Sequence, residues 1–136
     1  MSRRLLPGRA AAGFTLIELL VVMSLIVVLA TISMVMYANS VQRGREAVLK
    51  ENLFRMRDAI DQYYADKGKY PEALDELVSA GYLRRMPVDP MTDSTETWQA
   101  VPAEPDPNDL TAEPGVYDVK SGSEGTALDG TKYADW

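Results

Sequence analysis

The sequence predicts an α+β fold, with one long N-terminal helix packed against a small head that holds a short helix and a small antiparallel sheet. Three observations carry the prediction. The run from Leu19 to Met36 is 18 residues without a charge. Leu49, Leu53, Met56, Ile60 and Tyr63 then recur at steps of four, three, four and three, which is the apolar stripe of a half-buried helix. Beyond Gly68, short alternating segments are separated by stretches rich in Pro, Gly and small polar residues.

The elements follow in order. Residues 1–13 (MSRRLLPGRAAAG) are basic and acid-free, with Arg3, Arg4 and Arg9 as the charged side chains. Residues 14–38 are apolar apart from Thr15, Glu18, Ser24, Thr31 and Ser33. A helix needs roughly 20 apolar residues to cross a bilayer core, so this segment is long enough to span. It exceeds the apolar region of a signal peptide, about 7–15 residues. The basic flank precedes it, which predicts a cytoplasmic N-terminus and an exported head, residues 39–136. Glu46–Lys50 and Glu51–Arg55 are acid-before-base pairs at i, i+4 on the wet face of the continuing helix. Gly68 reads as its stop, giving about 80 Å from Phe14 to Asp66 at 1.5 Å per residue. Pro71 at a first turn and Gly81 predict a short helix over 72–80. Asp89-Pro90 reads as a turn, 98–101 and 116–119 as strands, and 102–114 and 121–130 as loops.

Composition excludes several functions. The chain has no Cys and no His, so thiolate metal sites, Cys nucleophiles and His bases are absent. A net charge of -6 argues against nucleic acid as the partner. The remaining Ser, Tyr, Lys and carboxylates form no recognisable catalytic constellation, so the chain is not read as an enzyme. Met23, Met34 and Met36 read as membrane packing. Tyr63, Tyr64, Tyr70 and Tyr82 read as filler between helix and head.

The informative string is Gly13-Phe14-Thr15-Leu16-Ile17-Glu18-Leu19-Leu20. A carboxylate inside a membrane helix costs roughly 2.5–3.5 kcal/mol on the mild insertion scale. Thr15-x-x-Glu18 also fits a capping box, which explains an acid near a helix start but not one within an apolar helix. The string resembles the prepilin leader of type IV pilins and type II secretion pseudopilins. The resemblance implies a pilin-like fold, cleavage between Gly13 and Phe14 by a prepilin peptidase, N-methylation of Phe14, and an assembly role for Glu18 against the new ammonium of a neighbouring subunit. Loss of the leader, 1–13, takes the formal side-chain charge from -6 to -9. Segment 14–38 then becomes the transmembrane and filament-core helix.

The likeness leans toward the major pseudopilin branch. Asp66-Lys67-Gly68-Lys69-Tyr70-Pro71, Val88-Asp89-Pro90, Gly115–Ser121 and Trp136 resemble its helix-to-head junction, Asp-Pro turn, penultimate strand and terminal Trp. Met91-Thr92 departs from that branch's usual Trp-Gly. The implied function is a structural subunit of a secretion pseudopilus, stored in the bacterial inner membrane with its head periplasmic and polymerised to drive protein export. A type IV pilus subunit for adhesion, motility or DNA uptake is the alternative. The implied partners are further copies of itself, minor pseudopilins, the peptidase, an inner-membrane assembly platform and the lipid bilayer. Major pseudopilins often bind calcium in the last loop; the matching oxygens here belong to Ser121, Ser123, Glu124, Asp129 and Asp135. Acid-bearing Gly-rich loops are more often solvated turns, and no cofactor is the preferred expectation.

Overall fold

The computed structural model describes residues 13–136. By internal contacts the chain divides into two compact units, parted between Ala38 and Asn39. Helix α1 spans Leu16–Lys67. It is followed by α2 (Leu74–Ser79), β1 (Gln99–Pro102), β2 (Val116–Lys120) and a 3-10 turn at Tyr133–Asp135. β1 and β2 form a two-stranded antiparallel sheet, with Gln99 opposite Lys120 and a register shift between Val101 and Pro102. This is the expected α+β arrangement, with two strands.

The head core is built on the predicted stripe. Leu49, Leu53, Met56, Ile60 and Tyr63 are all buried, together with Leu77, Trp98, Val116, Val119 and Tyr133. The tyrosines sit where the sequence suggested. Tyr63 meets Tyr82 edge-on, and Tyr64 stacks on Tyr70. Gly68 (φ 71) ends α1 with its N–H bonded to the Tyr64 carbonyl. Gly81 (φ 86) ends α2 in a Schellman arrangement, its N–H reaching the Val78 carbonyl while the Tyr82 N–H reaches that of Leu77. Trp98 anchors the start of the sheet by donating its indole N–H to the Pro87 carbonyl at 2.8 Å.

Two local expectations give way to longer-range contacts. The second helix begins at Leu74 rather than residue 72. Pro71 is fully buried and its carbonyl accepts the Val116 N–H at 2.7 Å, which holds that stretch extended beside β2. The Glu72 N–H is satisfied instead by Glu76 Oε2 at 2.7 Å. Glu51–Arg55 pairs as expected at 2.9 Å. Glu46 turns away from Lys50, and its Oε1 accepts from the Tyr133 hydroxyl, the Gln42 amide and the Leu128 N–H. Lys50 lies over the Trp136 ring at 4.6 Å.

Candidate functional site: the N-terminal apolar helix

The described chain starts with a segment outside any helix, Gly13-Phe14-Thr15, and α1 opens at Leu16. Thr15 Oγ1 accepts the Glu18 N–H at 3.2 Å, and the Thr15 carbonyl accepts the Leu19 N–H. Thr15 therefore caps the helix as its position suggests. The Glu18 carboxylate falls in the first turn and is exposed. Among the described residues it has no hydrogen-bond or ion-pair partner. The half of the capping box that would engage that carboxylate is not formed, so it is available to another group. Arg3, Arg4 and Arg9 of the expected leader lie outside the described residues.

The helix beyond Glu18 is suited to an apolar solvent. Its hydroxyls are satisfied within the helix: Ser24 bonds the Leu20 carbonyl, Thr31 that of Val27 and Ser33 that of Leu29, at 2.7–2.8 Å. Every large apolar side chain from Phe14 to Tyr37 is exposed. By length and composition α1 contains a segment able to cross a membrane. In a bilayer or a helix bundle, where unpaired polar groups cost several kcal/mol, Glu18 is the one acidic group in this stretch that the helix does not itself satisfy.

The C-terminal candidates behave differently. Asp129 Oδ1 accepts both the Thr131 hydroxyl (2.6 Å) and its N–H (2.9 Å), which together hold the Asp129 carboxyl below its ordinary range. The Ser121 hydroxyl is donated to buried Asp89 at 2.6 Å, and Ser123 Oγ accepts the Gly125 N–H. Glu124 and Asp135 are exposed. Among the described residues no three acidic side chains converge. The Lys120 ammonium stands 3.4 and 3.5 Å from the Asp135 and Trp136 carbonyl oxygens. Calcium takes six to eight oxygens, and among the described residues these carboxylates are not gathered around one point.

A cation that sequence reasoning missed holds this end of the head. Arg57, half-buried on α1, donates to Asp118 Oδ1 at 2.7 Å, to the Val119 carbonyl at 3.0 Å and to the Trp136 carbonyl at 2.6 Å. The local pattern offers Asp61, one turn on, as its partner; no sequence signal points 61 residues away to Asp118.

The site and fold together define a pilin-like protein: an apolar N-terminal helix with one lone carboxylate, continued as the spine of a small α+β head. The comparisons with known proteins are more specific. The family model described as "Prokaryotic N-terminal methylation motif" matches residues 8–34. The chain is 31% identical over 94 residues to type II secretion system core protein G of Klebsiella pneumoniae, covering 57% of this chain and 67% of that protein. It is 30% identical over 98 residues to the protein of the same name from Pseudomonas aeruginosa, covering 60% of this chain and 69% of the relative. Fimbrial protein EcpC of Eikenella corrodens is 37% identical over 59 residues, covering 43% of this chain and 39% of that protein. No solved structure matches. The chain belongs to the family of type II secretion system core protein G, the major pseudopilins.

Proposed function

We propose that this chain is the repeating subunit of a secretion pseudopilus. A prepilin peptidase cuts between Gly13 and Phe14 and methylates the Phe14 amine. The mature protein waits in the inner membrane as a single-pass protein with its head in the periplasm. Assembly through an inner-membrane platform withdraws the helix from lipid and packs it against other copies, with minor pseudopilins as further partners. The exchange is tolerable because both surroundings are apolar. The carrying observation is the exposed Glu18 carboxylate, unpartnered among the described residues, on an otherwise apolar helix four residues after Phe14. Cleavage creates an ammonium on Phe14, and in a low-dielectric filament core that cation on one copy attracts Glu18 of the next. The pair fixes register as each subunit enters. Growth of the filament moves cargo outward. The reading gives neither catalysis nor a metal a part.

Intact mass of the protein extracted from membranes is the test. The expected mass lacks residues 1–13 and gains one methyl group. A full-length mass overturns the proposal in favour of a plain membrane anchor. Gly13→Val is expected to abolish the cut. A type IV pilus subunit is the second reading. The stretch shared with the fimbrial protein favours it, but that stretch covers only 39% of the relative.

A further inference from the structure

The first turns of the head unit carry charge of the opposite sign to the chain as a whole. That unit begins at Asn39. Residues 39–50 hold Arg43, Arg45 and Lys50 against a single acid, Glu46, in a chain of net charge -6. Arg43 and Arg45 are exposed and, among the described residues, have no ion pair. Glu46 is half-buried, with its Oε1 committed to Tyr133, Gln42 and the Leu128 N–H. The two guanidinium groups are therefore the exposed charges of the first two turns, 39–46. An apolar side chain is held at the same end. The Leu128 N–H bond to Glu46 (3.0 Å) and the Gln42 bond to the Tyr133 hydroxyl (3.0 Å) keep residues 126–133 beside these turns. Leu128 is exposed there, and the exposed Asp129 and Lys132 offset each other.

The spacing along α1 suits a bilayer surface. The apolar run 14–38 ends just before Asn39, and Tyr37 near its end is of the residue type concentrated where a helix leaves the hydrocarbon. At 1.5 Å per residue, Arg43 and Arg45 follow Asn39 by about 6 and 9 Å. The polar headgroup zone is about 5–7 Å thick on each side of the hydrocarbon core, and long arginine stems reach back along the helix to place their heads in it. Positions two apart are turned by about 200° around the axis, so the pair meets phosphates on both sides of the helix.

We propose that Arg43 and Arg45 bind the phosphates of anionic phospholipids in the leaflet from which the head emerges, with Leu128 lowered into the same headgroup zone. The planar guanidinium fork matches phosphate oxygens and is weakly hydrated, so it gives up little water to do so. Screening limits the attraction to charges within about 8–10 Å of the surface, so acids farther along the head do not cancel it. The contact keeps the head of the stored subunit on the bilayer until assembly lifts it away. The proposal rests on the membrane-stored subunit reading.

The absence of native Cys lets Leu128→Cys carry a single environment-sensitive fluorophore in the full-length chain. The labelled protein is reconstituted in vesicles of phosphatidylcholine alone or of phosphatidylcholine with phosphatidylglycerol. Emission is expected to shift to the blue only with phosphatidylglycerol, and to revert at high salt. Each arginine at an anionic surface is worth about five-fold, so Arg43→Gln with Arg45→Gln is expected to lower the docked-to-undocked ratio about 25-fold. Gln keeps the helix propensity of Arg, and Arg43→Lys with Arg45→Lys is expected to retain the shift. Inorganic phosphate is expected to act no more strongly than sodium chloride of equal ionic strength. Specific displacement by phosphate assigns the arginines to a soluble anion and overturns the lipid proposal. Equal emission in the two vesicle types, or an undiminished blue shift in the Gln variant, overturns it as well. Protein that alkali washes off the vesicles has not inserted, and that result overturns the membrane-stored reading beneath the proposal.

Discussion

Residues 16–38 and 39–67 belong to one helix, yet they treat apolar surface in opposite ways. In the second stretch Leu49, Leu53, Met56, Ile60 and Tyr63 are at most 3% exposed, all covered by the chain's own head. In the first, the large side chains are apolar on every face and all are exposed. At roughly 25 cal/mol per Å2, so much uncovered apolar area cannot rest in water. One stretch is finished by its own sequence, while the other is finished only by lipid or by neighbouring copies. The same difference holds for charge. Arg57 finds its counter-charge within the chain, and among the described residues Glu18 finds none.

The largest effect expected from that contrast is on assembly. Under the proposed pairing, Glu18→Ala leaves the Phe14 ammonium of an adjoining copy in an apolar setting without a counter-charge, at a cost of about 2.5 kcal/mol or more. The variant is expected to insert in the membrane normally and to fall about 50-fold in filament incorporation when mixed with wild type. Equal incorporation in a competition experiment breaks the pairing argument. Head stability should not move.

The second effect inverts the first. Ile60→Ala removes a fully buried side chain at the centre of the stripe and is expected to cost the head about 2–5 kcal/mol in chemical denaturation. Leu25→Ala, in the stretch the head does not bury, is expected to leave that denaturation curve unchanged. If both substitutions shift the head equally, the division of labour along α1 is wrong. Arg57→Met comes next. It breaks charge-assisted bonds to Asp118, Val119 and Trp136 and is expected to cost about 2 kcal/mol, with trypsin reaching the chain's end sooner.

What the sequence disclosed divides along the same line. The apolar run, the buried stripe, Gly68 and Gly81 as stops, and both strands were legible because each is a local pattern with a fixed period or a fixed backbone demand. The N-terminal motif was legible for the same reason, since Gly13, Phe14 and Glu18 lie within one short string. The misses all depend on distant partners. Glu46 was expected to pair one turn on with Lys50, and it bonds Tyr133, 87 residues away. The start of α2 moved because Pro71 is tied to Val116. Nothing in the sequence near Arg57 points to Asp118, which only the fold brings to it. Helix periodicity states which face is buried and leaves open which side chain from another element meets it.

The smallest expected effect is a pH dependence confined to the head. The Tyr63 hydroxyl donates to Glu76 Oε1 at 2.6 Å. That bond, followed by burial, raises the Tyr63 pKa to about 12 from its usual 10.0. The same bond, aided by the Glu72 N–H, holds the Glu76 carboxyl below its ordinary range. Each shift has its own stability window. A tyrosine whose folded pKa is raised contributes fully below the unfolded value, and that contribution drains away as pH climbs from about 10 to about 12. A carboxyl whose folded pKa is lowered contributes above its unfolded value and loses that contribution as pH falls through the acid range. The melting temperature of the head should therefore sag at both extremes. Tyr63→Phe keeps the ring in the core and removes the bond, so it should flatten the alkaline limb and blunt the acid one, with a small loss at neutral pH. The core is confined to residues 49–133, so thermal melts of the 39–136 fragment across pH serve as the measurement. An alkaline limb that persists unchanged in Tyr63→Phe assigns it to other groups. The Tyr82 hydroxyl is the first to examine, because its bond to Asp66 raises its pKa in the same direction.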